Sequence, residues 1–384
     1  MIGEVLAAAA LAVWLYVLVG RGAFWRCGER DDAWPKKPAA LARVAVVVPA
    51  RNEAQQIGPS LASLMKQDYP GPWEIILVDD ESSDGTADAA RASAASLTPG
   101  RLRIVRGRSL PPGWTGKVWA IKQGIDQAMA SPQKPDYLLL TDADIVHPPD
   151  SITRLLAQAQ ANRLVLTSLM VKLRCDSLAE RASIPAFVFF FQMLYPFAWV
   201  NRPHCSTAAA AGGCMLVRAD ALDQAGGIEA IHDALIDDCA LAGSLKRHGP
   251  IWLALTRRLH SIRSYPTFAD IRRMVSRSAY AQLRFSPLLL LATVAAMTVT
   301  YLVPPVVVFT GTGLARMLAA SAWGLMALAF APTLRLYRLS LLWGLALPAI
   351  ALQYLVFTID SACQYARGRG GTWKGRVQAR VPQP

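Results

Sequence analysis

The sequence predicts an α/β domain on a mostly parallel sheet, carried by membrane-spanning helices. Three observations predict it. Between residues 43 and 260, short β-branched runs alternate with polar, Ala-rich stretches of helical length, the pattern of strands joined by helical crossovers. Hydrophobic residues make up 53% of the 384 and charged residues 17%. That charge is below the roughly 25% of soluble domains, so part of the apolar content belongs in a bilayer. The acidic residues also gather just behind the strands, where parallel sheets hold their ligands.

The elements follow in chain order. Residues 1–21 read as a membrane anchor: 5–20 carry no charge, only Glu4 precedes them, and Arg21, Arg26, Arg30, Lys36 and Lys37 follow. A secretory signal has its basic stretch before the apolar core, so this segment is retained, with its C-terminal flank on the cytosolic side. Residues 22–42 form a basic linker. Strands are expected at 44–48, 74–79, 102–105, 137–141, 164–169 and 215–217. The apolar stretch 184–200 is short for a span and is broken by Pro185 and Pro196. It fits a buried core helix or a helix lying in the membrane interface. Residues 261–285 are expected to form a basic interfacial helix. In 286–360, three apolar runs (287–309, 318–334, 340–359) approach spanning length, and Pro304-Pro305 predicts a kink. If all three crossed, the basic tail, 361–384, would emerge opposite the catalytic domain, against the positive-inside tendency. A re-entrant or interfacial run would remove the conflict, and the sequence does not choose which. Six cysteines without a C-x-x-C pair read as reduced thiols. The five histidines lack metal-ligand spacing.

Strand ends carry the chemistry. The first strand runs into Glu53, the second into Asp79 and Asp80, and the fourth, YLLLTDAD, into Asp142 and Asp144. Carboxylates delivered to one sheet edge repel one another unless a cation or a donor-rich ligand joins them. A hard divalent ion bound with a substrate phosphate is the economical explanation. Farther on, IHDALIDDCALAG places Asp237 and Asp238 side by side among apolar residues. That setting raises at least one carboxyl pKa toward the range of a general base.

VVVPARNE, VDDESSDGT, LLTDAD and LIDDCALA together resemble the family-2 glycosyltransferases of GT-A fold, over about 43–285. GWTGKVWAIKQG (113–124), the one-plus-three apolar runs and RFSP resemble the hopene-associated subgroup, which is similar to ceramide glucosyltransferases. The resemblance implies a GT-A domain, a nucleotide-sugar donor (UDP-linked), Mg2+ or Mn2+, and a lipid acceptor such as a hopanoid. It also implies roles. Asp80 and Glu53 would hold the uridine, Asp142 the ribose and Asp144 the metal. Gly116-Lys117 would lie beside the donor, where Lys117 suits a phosphate. Asp238, second of the acid pair with Asp237, would be the base of a single inverting displacement. The small-residue loop AAAAGGCMLV would lie near donor and acceptor. Lipid-acting relatives carry a Q/R-x-x-R-W signature before the membrane; here Arg277 supplies the arginine, but Met274 and Ser278 replace its other positions.

Rival readings are weaker. Gly116-Lys117 is no Walker A loop, because Pro111 and Val118 stand where Gly and Ser/Thr are required. A processive polysaccharide synthase of the same fold would need a longer helical pore. Net charge is +13, which invites a non-enzymatic membrane scaffold or a nucleic-acid binder. Much of the basic charge flanks apolar runs, however, where membrane orientation explains it, so a membrane and no nucleic acid is the expected partner. The reading as a whole is an enzyme of the bacterial inner membrane with its catalytic domain in the cytoplasm.

Overall fold

The computed structural model describes residues 1–95, 100–376 and 378. Its strands are β1 (Val44–Ala50), β2 (Trp73–Asp79), β3 (Leu102–Arg106), β4 (Tyr137–Thr141), β5 (Ile145–Val146), β6 (Leu166–Lys172), β7 (Cys214–Arg218) and β8 (Ile251–Ser261). They form one sheet in the order β3-β2-β1-β4-β7-β6-β8-β5. The pairs β1–β2, β1–β4, β2–β3 and β6–β8 are parallel; β7 and β5 run against their neighbours. Val47 lies between Ile76 and Leu140 in register, and all of β1 is buried, as the central strand of a sheet covered on both faces should be.

The helices are α1 (Ile2–Gly20), α2 (Ala54–Met65), α3 (Thr86–Ala95), α4 (Gly116–Met129), α5 (Ser151–Ala161), α6 (Leu178–Leu194), α7 (Phe197–Val200), α8 (Ala219–Gln224), α9 (Asp237–Leu245), α10 (Phe268–Ser276), α11 (Ala279–Gln282), α12 (Pro287–Met297), α13 (Val303–Thr310), α14 (Gly313–Leu336) and α15 (Leu347–Ala366). One face of the sheet buries Val44, Val46 and Val48 against Ile57 and Leu61 of α2 and Ile152 and Leu155 of α5. On the other face, Ala45 and Val47 belong to an apolar core that runs through α4 and α6 into α1, α14 and α15. The catalytic sheet and the apolar helices therefore share one core.

The stretch 184–200 divides at Tyr195-Pro196 into α6 and α7. A capping box of Ser177 and Glu180 starts α6. Phe189 meets Phe24 and Phe330, and Phe190 meets Tyr301 and Tyr354. The helix is a wedge between the sheet and the apolar helices rather than one lying free on an interface.

Among the described residues, three helical stretches are long and apolar enough to cross a membrane: Ile2–Gly20, Pro287–Thr310 and Gly313–Leu336. The third C-terminal run does not join them, so two candidate crossings follow the sheet domain where about three were expected. Tyr337, at the end of α14, meets Lys172 of the sheet domain. The chain then turns back alongside α14, where Trp323 Nε1 donates to Leu345 O and Gly344 packs on Ala327. From there α15 returns to the domain, with Tyr354 donating to Ser183 O, and Ser276 donating to Asp360. The segment 338–366 is therefore a dip and return, and the described part of the tail, as far as Arg376, lies against the sheet domain.

The expected kink is a π-helical turn, Thr298–Leu302, ahead of Pro304. Proline has no N–H to give the helix. The carbonyl of Thr300 instead accepts from Trp14 Nε1 of α1 at 3.0 Å. Two strands escaped the sequence reading, β5 and β8, and the sixth begins and ends later than expected.

Candidate active site

The carboxyl ends of β1, β2, β4 and β8 and the start of antiparallel β7 meet at one edge of the sheet. There a cavity of about 550 Å³ opens, bordered by Glu53, Lys117, Asp142, Asp144, Asp238 and Arg277, among others. The β1–α2 and β2–α3 turns are stitched together. Asn52, held at φ +51°, accepts from Ser83 N–H, and the Glu53 N–H donates to Thr86 Oγ1.

Lys117 is the hub. It lies in the first turn of α4, where the helix dipole opposes a cation. Its Nζ is 3.0 Å from Asp142 and 3.3 Å from Asp237. Burial alone would lower its pKa, but Asp142, Asp237 and Asp238 together raise it, so the ammonium stays charged. Asp238 is different. Burial, then Asp237, push its carboxyl up to about 6, against the pull of Lys117 and of the Cys239 and Gly212 N–H groups. The Gly212 N–H donates to Asp238 Oδ2 at 2.9 Å. A Cβ at Gly212 would lie 2.9 Å from Lys117 Nζ and 3.4 Å from Asp238 Oδ2, so the small-residue loop needs glycine for this close approach.

The second cluster centres on Arg263, which the sequence reading missed. Its Nε donates to Asp144 Oδ2 at 3.2 Å and its guanidinium reaches Glu53 Oε1 at 2.5 Å. Ser261 Oγ donates to the same Asp144 oxygen at 2.6 Å. Arg263 follows β8, a strand whose periodicity is masked by Arg257, Arg258 and His260. Among the described residues no three His, Cys, Asp or Glu side chains gather to hold a metal. Asp144 and its neighbours on this edge thus offer too few ligands to enclose one by themselves. That fits a Mg2+-type ion arriving with a diphosphate that completes its shell, not a resident ion caged by the protein.

Asp80 is fully buried behind this edge and does not line the cavity. Arg376, from the C-terminal tail, contacts it at 2.7 Å, and Arg51 lies 3.8 Å away. Burial raises its pKa, and these two cations oppose that rise. Among the described residues, Asp80 Oδ1 and Glu53 Oε2 are buried acceptors without a hydrogen bond. Gly116 sits under Trp373 of the tail. The expected site residues thus converge, except that the tail covers Gly116 and Asp80.

A second cavity of about 410 Å³ runs from this centre between the apolar helices. Phe190 lies on α6 and Tyr195 just after it, Thr293 and Met297 on α12, and Tyr354 and Thr358 on α15. Lys117, Asp142, Gly212, Asp238 and Arg277 line both cavities.

Known proteins bear on this arrangement. Glycosyl transferase family 2 matches residues 45–226, and Glycosyl transferase family group 2 matches residues 137–358, more than half of the chain. An undecaprenyl-phosphate 4-deoxy-4-formamido-L-arabinose transferase of Pectobacterium carotovorum is 31% identical over 121 residues, which are 31% of this chain and 34% of that one. Its counterpart from Pectobacterium atrosepticum is 32% identical over 145 residues, 37% and 40% of the two chains. The chain thus spans 34–40% of the length of these relatives. A mannosyltransferase from Pyrobaculum calidifontis, solved with GDP-Man and Mn2+, superposes with TM-score 0.56 at 20% identity over 94% of this chain and 98% of that one. That likeness speaks to the GT-A fold, and neither match bears on the hopene-associated subgroup. On the family match, the chain belongs to the family-2 glycosyltransferases.

Proposed function

We propose that the protein transfers a sugar from a nucleotide sugar, UDP-linked in our reading, to a membrane lipid, with inversion at the anomeric carbon. One observation carries this: a carboxylate-lined polar cavity and an apolar cavity between membrane-type helices share the wall formed by Lys117, Asp142, Asp238 and Arg277. A water-soluble donor suits the first and a lipid the second. The catalytic domain and basic flanks would face the cytoplasm at a bacterial inner membrane, where the positive-inside tendency favours them.

In this reading, the donor's nucleoside meets Asp80 and Glu53, and Asp142 its ribose. Asp238 takes the proton from the acceptor hydroxyl. The hydroxyl oxygen attacks the anomeric carbon from the face opposite the diphosphate, and the electron pair of the breaking bond leaves on the diphosphate. Lys117 and Arg277 offset that growing charge. Asp144 would hold a divalent ion, which when bound neutralises the diphosphate. A buried carboxyl titrating near 6 is matched to such a base and favours a lipid hydroxyl, a hopanoid among the candidates. A second reading, a lipid phosphate, is supported by the names of the curated relatives and by Arg277 on the acceptor wall; such an acceptor needs no base.

The test is transfer of labelled sugar by detergent-purified protein, using a panel of nucleotide sugars with Mg2+ or Mn2+. Acceptors are a bacterial lipid extract, a hopanoid alcohol and undecaprenyl phosphate. Label in the organic phase, lost in Asp144→Ala, is expected. Loss in Asp238→Asn as well marks a hydroxyl acceptor; activity retained there marks a phosphate. No label with any pair, or long polymer instead of glycolipid, would overturn the reading.

A further inference from the structure

The tail from Gly371 to Arg376 folds back onto the nucleoside side of the polar cavity. Trp373 and Arg376 exchange both backbone hydrogen bonds, at 2.8 and 2.9 Å. The two residues between them, Lys374 and Gly375, have φ of +47° and +84°. This is a two-residue hairpin of the kind that requires positive φ at both central positions, and a lysine at one of them is an uncommon choice. The side chain it aims is used: Lys374 Nζ is 2.9 Å from Glu53 Oε1 and donates to Asn52 O at 3.0 Å. Arg376 pairs with Asp80 Oδ2 at 2.7 Å and with Glu81. Arg51 donates to Lys374 O at 3.3 Å. Trp373 covers Gly116 so closely that a Cβ there would come within 2.8 Å of its ring. Thr372, Trp373 and Lys374 line the cavity itself.

We propose that this hairpin is a built-in occupant of the donor site, which competes with the nucleoside for Asp80 and Glu53 and leaves when the donor binds. The inference rests on the donor-site reading above. An aromatic ring flanked by two cations, set against two carboxylates, reproduces in the same chain the features a nucleoside offers there: a flat face and hydrogen-bond donors. The acceptors it uses are the ones the donor would need, and with the tail docked Asp80 is fully buried and Glu53 nearly so. The Arg376–Asp80 pair is held behind the cavity, with Arg376 15% exposed and Asp80 0%, so it weighs more than an ordinary surface pair.

The experiment measures UDP and GDP binding by calorimetry to the full-length protein and to Lys374→Ala/Arg376→Ala, two changes outside the apolar core. A tail docked nine-tenths of the time weakens apparent affinity tenfold, so the double variant should bind about tenfold tighter. The ratio should shrink as salt screens the pairs. Trypsin cleavage after Lys374 and Arg376 in the unaltered protein should quicken when the nucleotide is added. Equal affinity in the two proteins overturns the proposal, and weaker binding in the variant makes the tail part of the donor site instead; either way the donor-site reading survives. No nucleotide binding to either protein overturns that reading and the tail's role with it.

Discussion

Asp237 and Asp238 are adjacent yet environmentally distinct. Asp237 faces Lys117 at 3.3 Å; Asp238 is the one burial pushes up to about 6. A base is useful only when deprotonated, so transfer to a lipid hydroxyl should rise with pH through about 6 and then level off. Asp238→Asn should lose about 10²–10⁴-fold in turnover while nucleotide affinity holds. Stability should move the other way. A carboxyl with a raised folded-state pKa stabilises the fold below its unfolded value near 4, and that stabilisation is lost as pH rises through about 6. The Asn variant should therefore melt at the same or a higher temperature than the parent at pH 8, read by thermal unfolding in detergent. A variant that melts markedly lower would make Asp238 a structural group. At this scale the acidic half of the site was legible, because Glu53, Asp80, Asp142 and Asp144 follow apolar runs that could only be strands. Arg263 was not, because it follows a strand with charged residues in it. Nor was the competition of Arg263 for Asp144, which depends on a register no local pattern contains.

Among the elements, the broken helix Pro287–Thr310 is the most instructive. A Pro-Pro pair announces a kink from sequence alone, but not what satisfies the carbonyl that proline leaves free. Trp14 does so from another helix and packs edge-on against Tyr301 at 5.4 Å. Trp14→Phe keeps an aromatic ring and removes the donor. It should cost about 1 kcal/mol, as interhelical hydrogen bonds in membranes do. Pro304→Ala, which restores an N–H, should recover part of that loss in the double variant. Additive losses in a thermal-unfolding cycle would mean that the indole and the proline act separately. The apolar runs were legible by composition; the dip at 338–346 was not, because a run that turns back along its own helix has the composition of one that crosses.

For the whole molecule, the path of the chain favours one answer to what charge counting left open. If Pro287–Thr310 and Gly313–Leu336 both cross, the dip and return that follow them leave the described tail, as far as Arg376, on the side of the sheet domain. A cysteine at Thr312 should react with an impermeant maleimide only from the face opposite the domain, and exposed Cys363 only from the domain face. Labelling of both from one face would reverse this topology.

The shared wall of the two cavities has a consequence for the lipid environment. Thr293 and Met297 belong to a helix long and apolar enough to cross the bilayer, and with Tyr354 and Thr358 of α15 they shape the pocket that ends at Asp238. Helices mismatched to the hydrocarbon thickness tilt or kink at modest cost, so acyl-chain length is in effect an input to the catalytic centre. Turnover in vesicles should pass through an optimum as chain length varies at constant head group, while nucleotide binding, set at the polar edge of the sheet, stays flat.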